Sequence, residues 1–536
     1  VANADLSLLG VGEREQNHLS FDLRGEIQGP SWSNISGYAS ASNLLYREVN
    51  ERLYTELAQV HFNQSNDDSF LQFSSPMLDL NIAGHIDFEH ISNDLLHHLA
   101  IVYPSLEPEA GSAIQSSSNV TFDLQVRNAK DLLAIFVPDL TIASNSRFSG
   151  SFDSKNENLE FKINSPSLAY QDFRFDNVVF DQQITSENTT GGLQIALVSY
   201  ADSTNFHDLK FVNQGSKGVL DAVVSWDPQT NDFSEIKWRT TFLPEDILNF
   251  NLQPSFFTVN GVQWEIANQS DILLSTSELN VSNFELHRGY QLVKINGCLS
   301  DNERDHLRFD VLGLDLNELS NLLDFPNQLS GRFSGWGVLS TPNNNVSILA
   351  DANLEQFQID GQMVGDVMLH SDWSDASKRI LLEGTLQYRN ERTFDFDGLY
   401  NIKADELDLG LNFKQTDISF ANAFMDPEVI KGIKGKLNGR LRLKGSPSDP
   451  KLSGKLKLQN GGAEIALLGV SYQLEGPIQV TEDAFFLDNF PIKDPEGNIA
   501  YLSSAINHQK FDKWNYDIQI NFEDDIKKID PRTNQV

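Results

Sequence analysis

The sequence predicts an all-β fold of antiparallel strands with a few short helices. Three observations carry that prediction: apolar residues alternate with period two over much of the chain, turn-forming segments separate the alternating runs, and the helical patterns are brief. The alternation is plainest where Val120, Phe122, Leu124 and Val126 interleave with Thr121, Asp123, Gln125 and Arg127. Leu407, Leu409, Leu411 and Phe413 interleave in the same way with Asp408, Gly410 and Asn412. Tyr516, Ile518, Ile520 and Phe522 do so with Asp517, Gln519 and Asn521. Successive side chains of a strand point to opposite faces, so each run has one wet face and one dry face. Shorter runs lie at Leu71 to Phe73, Leu78 to Phe88, Leu159 to Ile163, Leu307, Phe309 and Val311, and Leu437 to Leu443.

Between the runs stand SPSDP (446–450), NGG (460–462), EGP (475–477) and DPEGN (494–498). Such segments suit hairpin and meander connections and are too short for the crossover a parallel pair needs, so antiparallel neighbours are expected. Helical patterns are few and brief, as at DLLHHL (94–99), KDLLAIF (130–136), EDILNF (245–250), NELSNLLDF (317–325) and FANAFMDPEVI (420–430). Each has Asp, Asn or Glu near its start, as a helix N-terminus prefers. Four are followed by a glycine-bearing strand pattern: RFSGSF (147–152), TVNGVQW (258–264), LSGRFSGWGVL (329–339) and KGKLNGRLRLKG (434–445). The repeat is loose and its spacing irregular, which disfavours a fixed-coil β-helix.

A chain of 536 residues ordinarily forms several domains, yet no linker-like or low-complexity tract interrupts this one. One strand per ~14 residues gives roughly 30 to 40 strands, over 100 Å of sheet at about 4.8 Å each. A dry face of that size must be hidden by folding into sandwiches, by closing as a solenoid, or by curling into a trough filled with something apolar. Glycines at 84, 150, 335, 439 and 454 suit sharp bends of a curved sheet and equally suit bulges in ordinary sandwiches.

Composition narrows the function classes. A net charge of −35 spread along the chain opposes nucleic acid and anionic bilayer surfaces as partners. No run of about 18 apolar residues is present to span a membrane as a helix. Cys298, the single cysteine, reads as a small buried hydrophobe. No phosphate-binding loop, nucleophile elbow, HExxH or CxxC pattern occurs, so no enzymatic activity, catalytic residue, metal site or cofactor is expected. His85, His90, His97 and His98 are the densest histidine group, but their spacing crosses a strand and a helix with few carboxylates nearby. Asp395 and Asp397 alternate with Phe394 and Phe396 as a wet strand face does, and the sequons at Asn119 and Asn280 are what an Asn- and Ser-rich chain produces by chance.

Residues 422–462 are more specific. Gly435, Leu437, Gly439, Leu441, Leu443 and Gly445 lead through Pro447 and Pro450 into Leu452, Gly454, Leu456 and Leu458. This pattern resembles the TamB family, the translocation and assembly module proteins related to AsmA-like proteins, and residues 470–508 resemble its Bacteroidota members. A weaker echo stands at 317–361. Residues 1–400 are accordingly expected to form an extended repetitive β-trough and 401–536 its continuation, with the clearest family segment.

The resemblance implies an elongated, strongly curved antiparallel sheet, taco- or U-shaped, with a hydrophobic groove. It further implies a periplasmic bridge that carries phospholipids toward the outer membrane, with an Omp85-type (TamA-like) outer-membrane barrel as partner. Family members are tethered to the inner membrane by an N-terminal anchor and carry a further C-terminal β domain, and this chain reads as a fragment lacking both. The groove is expected to be lined by Val120, Phe122, Leu124, Val126, Leu307, Phe309, Val311, the four alternating residues 407–413, Leu441, Leu443, Leu456, Leu458 and the four alternating residues 516–522. The alternative function is a scaffold or chaperone that offers sheet edges to outer-membrane proteins during assembly and secretion. A polysaccharide-binding solenoid would need a regular coil and a carboxylate or arginine cluster, and neither is present.

Overall fold

The computed structural model describes residues 4–5, 17–31, 34–48, 51–65, 69–86, 90–106, 118–201, 204–259, 261–318, 328–341, 346–359, 361–374, 379–388, 391–423, 427–446, 449–466, 469–509 and 513–522. Among them are 34 strands, two α-helices and short 3-10 turns, and every described strand pair is antiparallel. The all-β antiparallel class read from the alternation is the class observed. The chain divides into two compact units, Val1–Leu279 and Asn280–Val536.

In the first unit most strands pair with their sequence neighbour, and two helices leave the sheet and return to it. Helix α1 (Ile91–Ala100) and a 3-10 turn (Pro104–Leu106) separate strands Leu78–His85 and Asn119–Val126, which still pair with each other. Helix α2 (Lys130–Phe136) follows Asn119–Val126 and lies back against strand Glu51–Gln64. Helix α1 runs the other way and reaches strand Phe173–Thr185. Beyond it, the Ile101 carbonyl accepts the Gly218 N–H at 3.1 Å, and the Tyr103 ring meets Phe242 edge-on at 4.9 Å.

In the second unit, fourteen strands from Gln291–Ser300 to Lys513–Phe522 form an uninterrupted meander. Its register slips at residues with left-handed backbone: Gly313, Gln356, Gln415, Asn460 and Asn489. At four of these a side chain of the next strand accepts the freed N–H: Ser334 for Gly313, Asp366 for Gln356, Asn438 for Gln415 and Ser503 for Asn489. Each is a bulge, which leaves one residue unpaired and increases the local twist and bend. A 3-10 turn, Ile418–Ala423, leaves the meander after strand Glu406–Asp417 and lies against strand Gln362–Ser374, three strands back.

Several local expectations need correction. EDILNF is not helical: Glu245 and Asp246 take φ of +63° and +58° in a turn, and Ile247–Leu252 is a strand. Leu248, Phe250 and Leu252 share one face there, a period of two inside a segment too short to separate it from a helix. TVNGVQW is a hairpin whose Gly261, with φ +75°, turns between strands Ser255–Val259 and Val262–Ile266. NGG and EGP are not turns but lie inside strands Asp449–Ile465 and Val470–Thr481 at register shifts, where a bulge satisfies the same Gly and Asn preferences. FANAFMDPEVI forms only the 3-10 turn ending at Ala423 before strand Ile430–Ser446 begins, with 424–426 outside the described residues, as are 319–325 of NELSNLLDF.

Candidate functional site

Side chains that pair across neighbouring strands form rungs on one face, so the register shows what each face presents. In the second unit one rung runs Val293, Val311, Gly335, Ala352, Leu369, Gly384 and Phe396. It continues through Leu411, Leu441, Gly454, Val480, Phe485 and Ile506 to Tyr516. No charged residue interrupts this rung across the fourteen strands. A neighbouring rung passes from Leu354 through Val367, Leu386, Phe394, Phe413 and Gly439 to Leu456 and Ile478.

The glycines bring these rungs close. A Cβ on Gly439 would lie 2.4 Å from the Lys455 carbonyl oxygen, and one on Gly454 2.4 Å from that of Arg440, both at φ near +140°. Each faces a leucine across the ladder, Leu456 and Leu441 respectively. Leu441 is 3% exposed, Val480 2% and Phe490 1%. A flat single sheet cannot bury its own face so completely, so the dry face closes on itself around an apolar cavity of about 230 Å³. Residues of six neighbouring strands line that cavity, with Ile418 of the 3-10 turn. Burial raises the pKa of the Tyr472 phenol on its wall, and Asp494 adds to the effect.

In the first unit the corresponding rung runs Ile27, Gly37, Phe62, Leu71, Ile82, Phe122, Gly150 and Phe161. Then its character changes, to Gln182, Gly191 and Asn213, before returning to Ala222, Trp238 and Leu252. Gln182 and Asn213 reach across Gly191 to hydrogen-bond each other: Asn213 Nδ2 donates to Gln182 Oε1 at 3.0 Å, and Gln182 Nε2 to Asn213 Oδ1 at 3.3 Å. Gln182 Nε2 also donates to Thr189 Oγ1 at 2.6 Å. The polar trio borders a cavity of about 650 Å³ between α1 and the sheet. Ile91, Leu95 and Leu99, at helical spacing of four, form its roof, and residues of seven neighbouring strands form its walls. A compact cavity of that volume is about 11 Å across, whereas seven flat strands span about 29 Å. The sheet therefore bends around the helix. Toward its first strands the dry face opens, leaving Leu23 62% and Ile27 66% exposed.

The opposite face carries the charge. Arg442 chelates Asp408 with both contacts at 2.6 Å, and Arg239 holds Asp221 at 2.7 and 2.9 Å. In each pair the arginine's hydrogen bond, against burial, holds the aspartate below its usual pKa.

The expected groove residues fall as follows. Val120, Phe122, Leu124 and Val126 share the dry face of the first unit, the first two on the cavity wall. Leu307, Phe309 and Val311, then Leu407, Leu409, Leu411 and Phe413, then Leu441, Leu443, Leu456 and Leu458, occupy the dry face of the second. Ile520 is half-buried beside that cluster, and Ile518 lines the 230 Å³ cavity while 37% exposed. Tyr516 and Phe522 pair with Ile506 and Ala500, and their side chains lie outside those described. What the sequence did not disclose is the Gln182, Thr189 and Asn213 trio, because amides in an alternating run read as wet-face residues. The one available signal was Gly191, which pairs with both Gln182 and Asn213.

His97 and His98 sit on α1, His85 ends strand Leu78–His85, and His90 precedes α1. His98 is fully buried, its Nδ1 2.7 Å from the Asp94 carbonyl and its ring edge-on to Phe152 at 4.9 Å. Among the described residues no three His, Cys, Asp or Glu side chains are grouped to hold a metal. Cys298 is half-buried in strand Gln291–Ser300.

These features define an all-β protein built of antiparallel meanders with a buried apolar face. No family model, no curated protein and no solved structure matches the chain.

Proposed function

We propose that this chain is a non-enzymatic lipid-transfer protein that carries phospholipid acyl chains along the dry face of its sheet. The observation that carries the reading is the uncharged rung that begins at Val293: from Val293 to Leu411 its members are all half-buried, an open apolar stretch over eight successive strands, and beyond them the face curls around the 230 Å³ cavity. Each buried methylene of a bound chain contributes about 0.8 kcal/mol, and near-uniform lining lets the chain exchange between neighbouring positions without a deep trap. The charged opposite face keeps such a body soluble.

The setting in this proposal is taken from the TamB-like segment at 422–462. There the protein is an inner-membrane-tethered bridge across the periplasm, delivers lipid toward the outer membrane and works with an Omp85-type barrel. The test is the pair Leu411→Arg with Ile520→Arg, followed by lipid co-purification and by outer-membrane lipid and protein content. Lost co-purifying phospholipid is expected. Unchanged lipid content refutes the conduit, and failed protein assembly with normal lipid flux transfers the role to a scaffold for outer-membrane proteins.

A further inference from the structure

The amide trio beneath α1 interrupts an otherwise apolar face, and its chemistry is selective. We propose that the 650 Å³ cavity of the first unit is a binding site for an acyl chain carrying a neutral ester, and that it rejects the free carboxylate. The inference rests on the reading that the dry face accepts acyl chains, and it adds which chemical form this site takes.

The cavity lies within the range of about 300–1,000 Å³ typical of small-ligand sites. Its walls are aromatic and aliphatic, with Phe122, Phe161 and Phe180 beneath the α1 leucines. Apart from the Tyr103 phenol, no ionisable side chain lines it. A carboxylate or phosphate placed there would lose its water with no cation to replace it, a penalty that an unpaired buried anion does not recover. A neutral carbonyl meets a different surface. Asn213 Nδ2 has two hydrogens, and its bond to Gln182 uses one, so a donor stays available beside the cavity. Gln182 Nε2 divides its hydrogens between Thr189 and Asn213 and fixes the Asn213 amide in place. Gly191 makes the arrangement possible, because a Cβ there would fall 2.1 Å from Gln182 Oε1. An ester carbonyl at Asn213 with its chain among the phenylalanines satisfies both parts of the site, whereas a bare hydrocarbon leaves the amides as they are.

The test uses the full chain at about pH 8, where a fatty acid is ionised. Two diazirine probes of equal chain length, a fatty acid and its methyl ester, are photolysed on the protein and the adducts mapped by peptide mass spectrometry. The ester is expected to label the α1 roof and the facing strands on the order of tenfold or more above the acid, the scale of leaving one buried polar group unpaired. Replacing both partners, Gln182→Leu with Asn213→Leu, keeps the volume apolar. It is expected to lower ester labelling at this cavity to that of the corresponding alkane probe and to leave labelling at Leu456 and Leu458 unchanged. Thr189→Val provides a milder second variant with the same direction. Equal labelling of this cavity by acid and ester, or adducts only in the second unit, overturns the inference and leaves the lipid reading standing. Absence of adducts from both units refutes the lipid reading itself.

Discussion

The two units build a dry face from the same alternation and then cover it differently. In the second unit the face is covered by itself: leucines drop over glycines on the next strand, and a single cluster runs from Phe413 through Leu441 and Leu456 to Phe490 and Leu502. In the first unit the face is covered by inserted segments, and its buried cluster around Val178, Ile195 and Val198 is small. A helix lies over the sheet there, a large cavity persists beneath it, and a hydrogen-bonded amide pair takes the place of apolar residues. Alternation thus suffices to make a dry face, but glycine placement and insertions decide whether that face closes or stays hollow.

The strongest way to break this comparison is to block the closure. Gly454→Val puts a branched side chain where φ is +144° and where even a Cβ meets the Arg440 carbonyl at 2.4 Å. Strain and overpacking together are expected to cost about 3–5 kcal/mol. In the first unit, Gly191→Ala first meets the flexible Gln182 side chain, so its cost is expected to be smaller, about 1–3 kcal/mol. Urea unfolding read by hydrogen exchange on peptides of each unit checks both. Equal losses at the two sites would mean that closure over glycine does not distinguish the units.

These glycines also mark the limit of what the sequence discloses. The alternation of 407–413 or 120–126 shows which side chains share a face, because period two is a local property of the backbone. It does not show what lies over that face. Leu441 and Phe122 look alike in sequence, yet one is sealed and the other borders a cavity roofed by residues some thirty positions earlier. Bulges at Gln356, Gln415 and Asn489 were hidden because a polar residue in a polar slot leaves no trace until its φ is known. NGG and EGP were misplaced for the same reason, since bulges and turns use the same residues.

A smaller effect separates a packed wall from a hollow one. Leu441→Ala removes a sealed side chain from the closed cluster and is expected to cost about 2–4 kcal/mol, because its neighbours cannot collapse into the space. Leu159→Ala, on the wall of the 650 Å³ cavity, is expected to cost about 1–2 kcal/mol, since that side chain already lacks partners on one side. Denaturant midpoints of the two variants measure the difference, and a Leu159→Ala loss as large as that of Leu441→Ala would show the cavity to be collapsed in solution.

The amide bridge offers a finer probe, a double-mutant cycle. Gln182→Leu alone leaves the buried Asn213 without its partner and is expected to destabilise by about 1–3 kcal/mol. Adding Asn213→Leu is expected to recover most of that loss, because replacing both members of a buried polar pair by apolar groups can be nearly neutral. Additive losses would mean that the two amides act independently.

The smallest expected effect concerns acid, and it touches only the second unit. His508 packs against Phe485, ring centroids 5.7 Å apart, at the end of the apolar face. Burial lowers its pKa below the ordinary 6.5, and Asp483 opposes the shift only in part. Well above pH 6.5 neither the folded nor the unfolded chain is protonated there. As pH falls below that value the unfolded chain takes up the proton first, so unfolding binds a proton and stability declines with falling pH. The window is distinct from that of Asp408, whose pKa the Arg442 hydrogen bond holds below the ordinary 3.8 and whose contribution is lost only at lower pH. A urea midpoint measured on second-unit peptides is therefore expected to fall modestly between about pH 7 and pH 5.5, and His508→Gln to flatten that slope. A slope unchanged in His508→Gln would assign the acid sensitivity to another group.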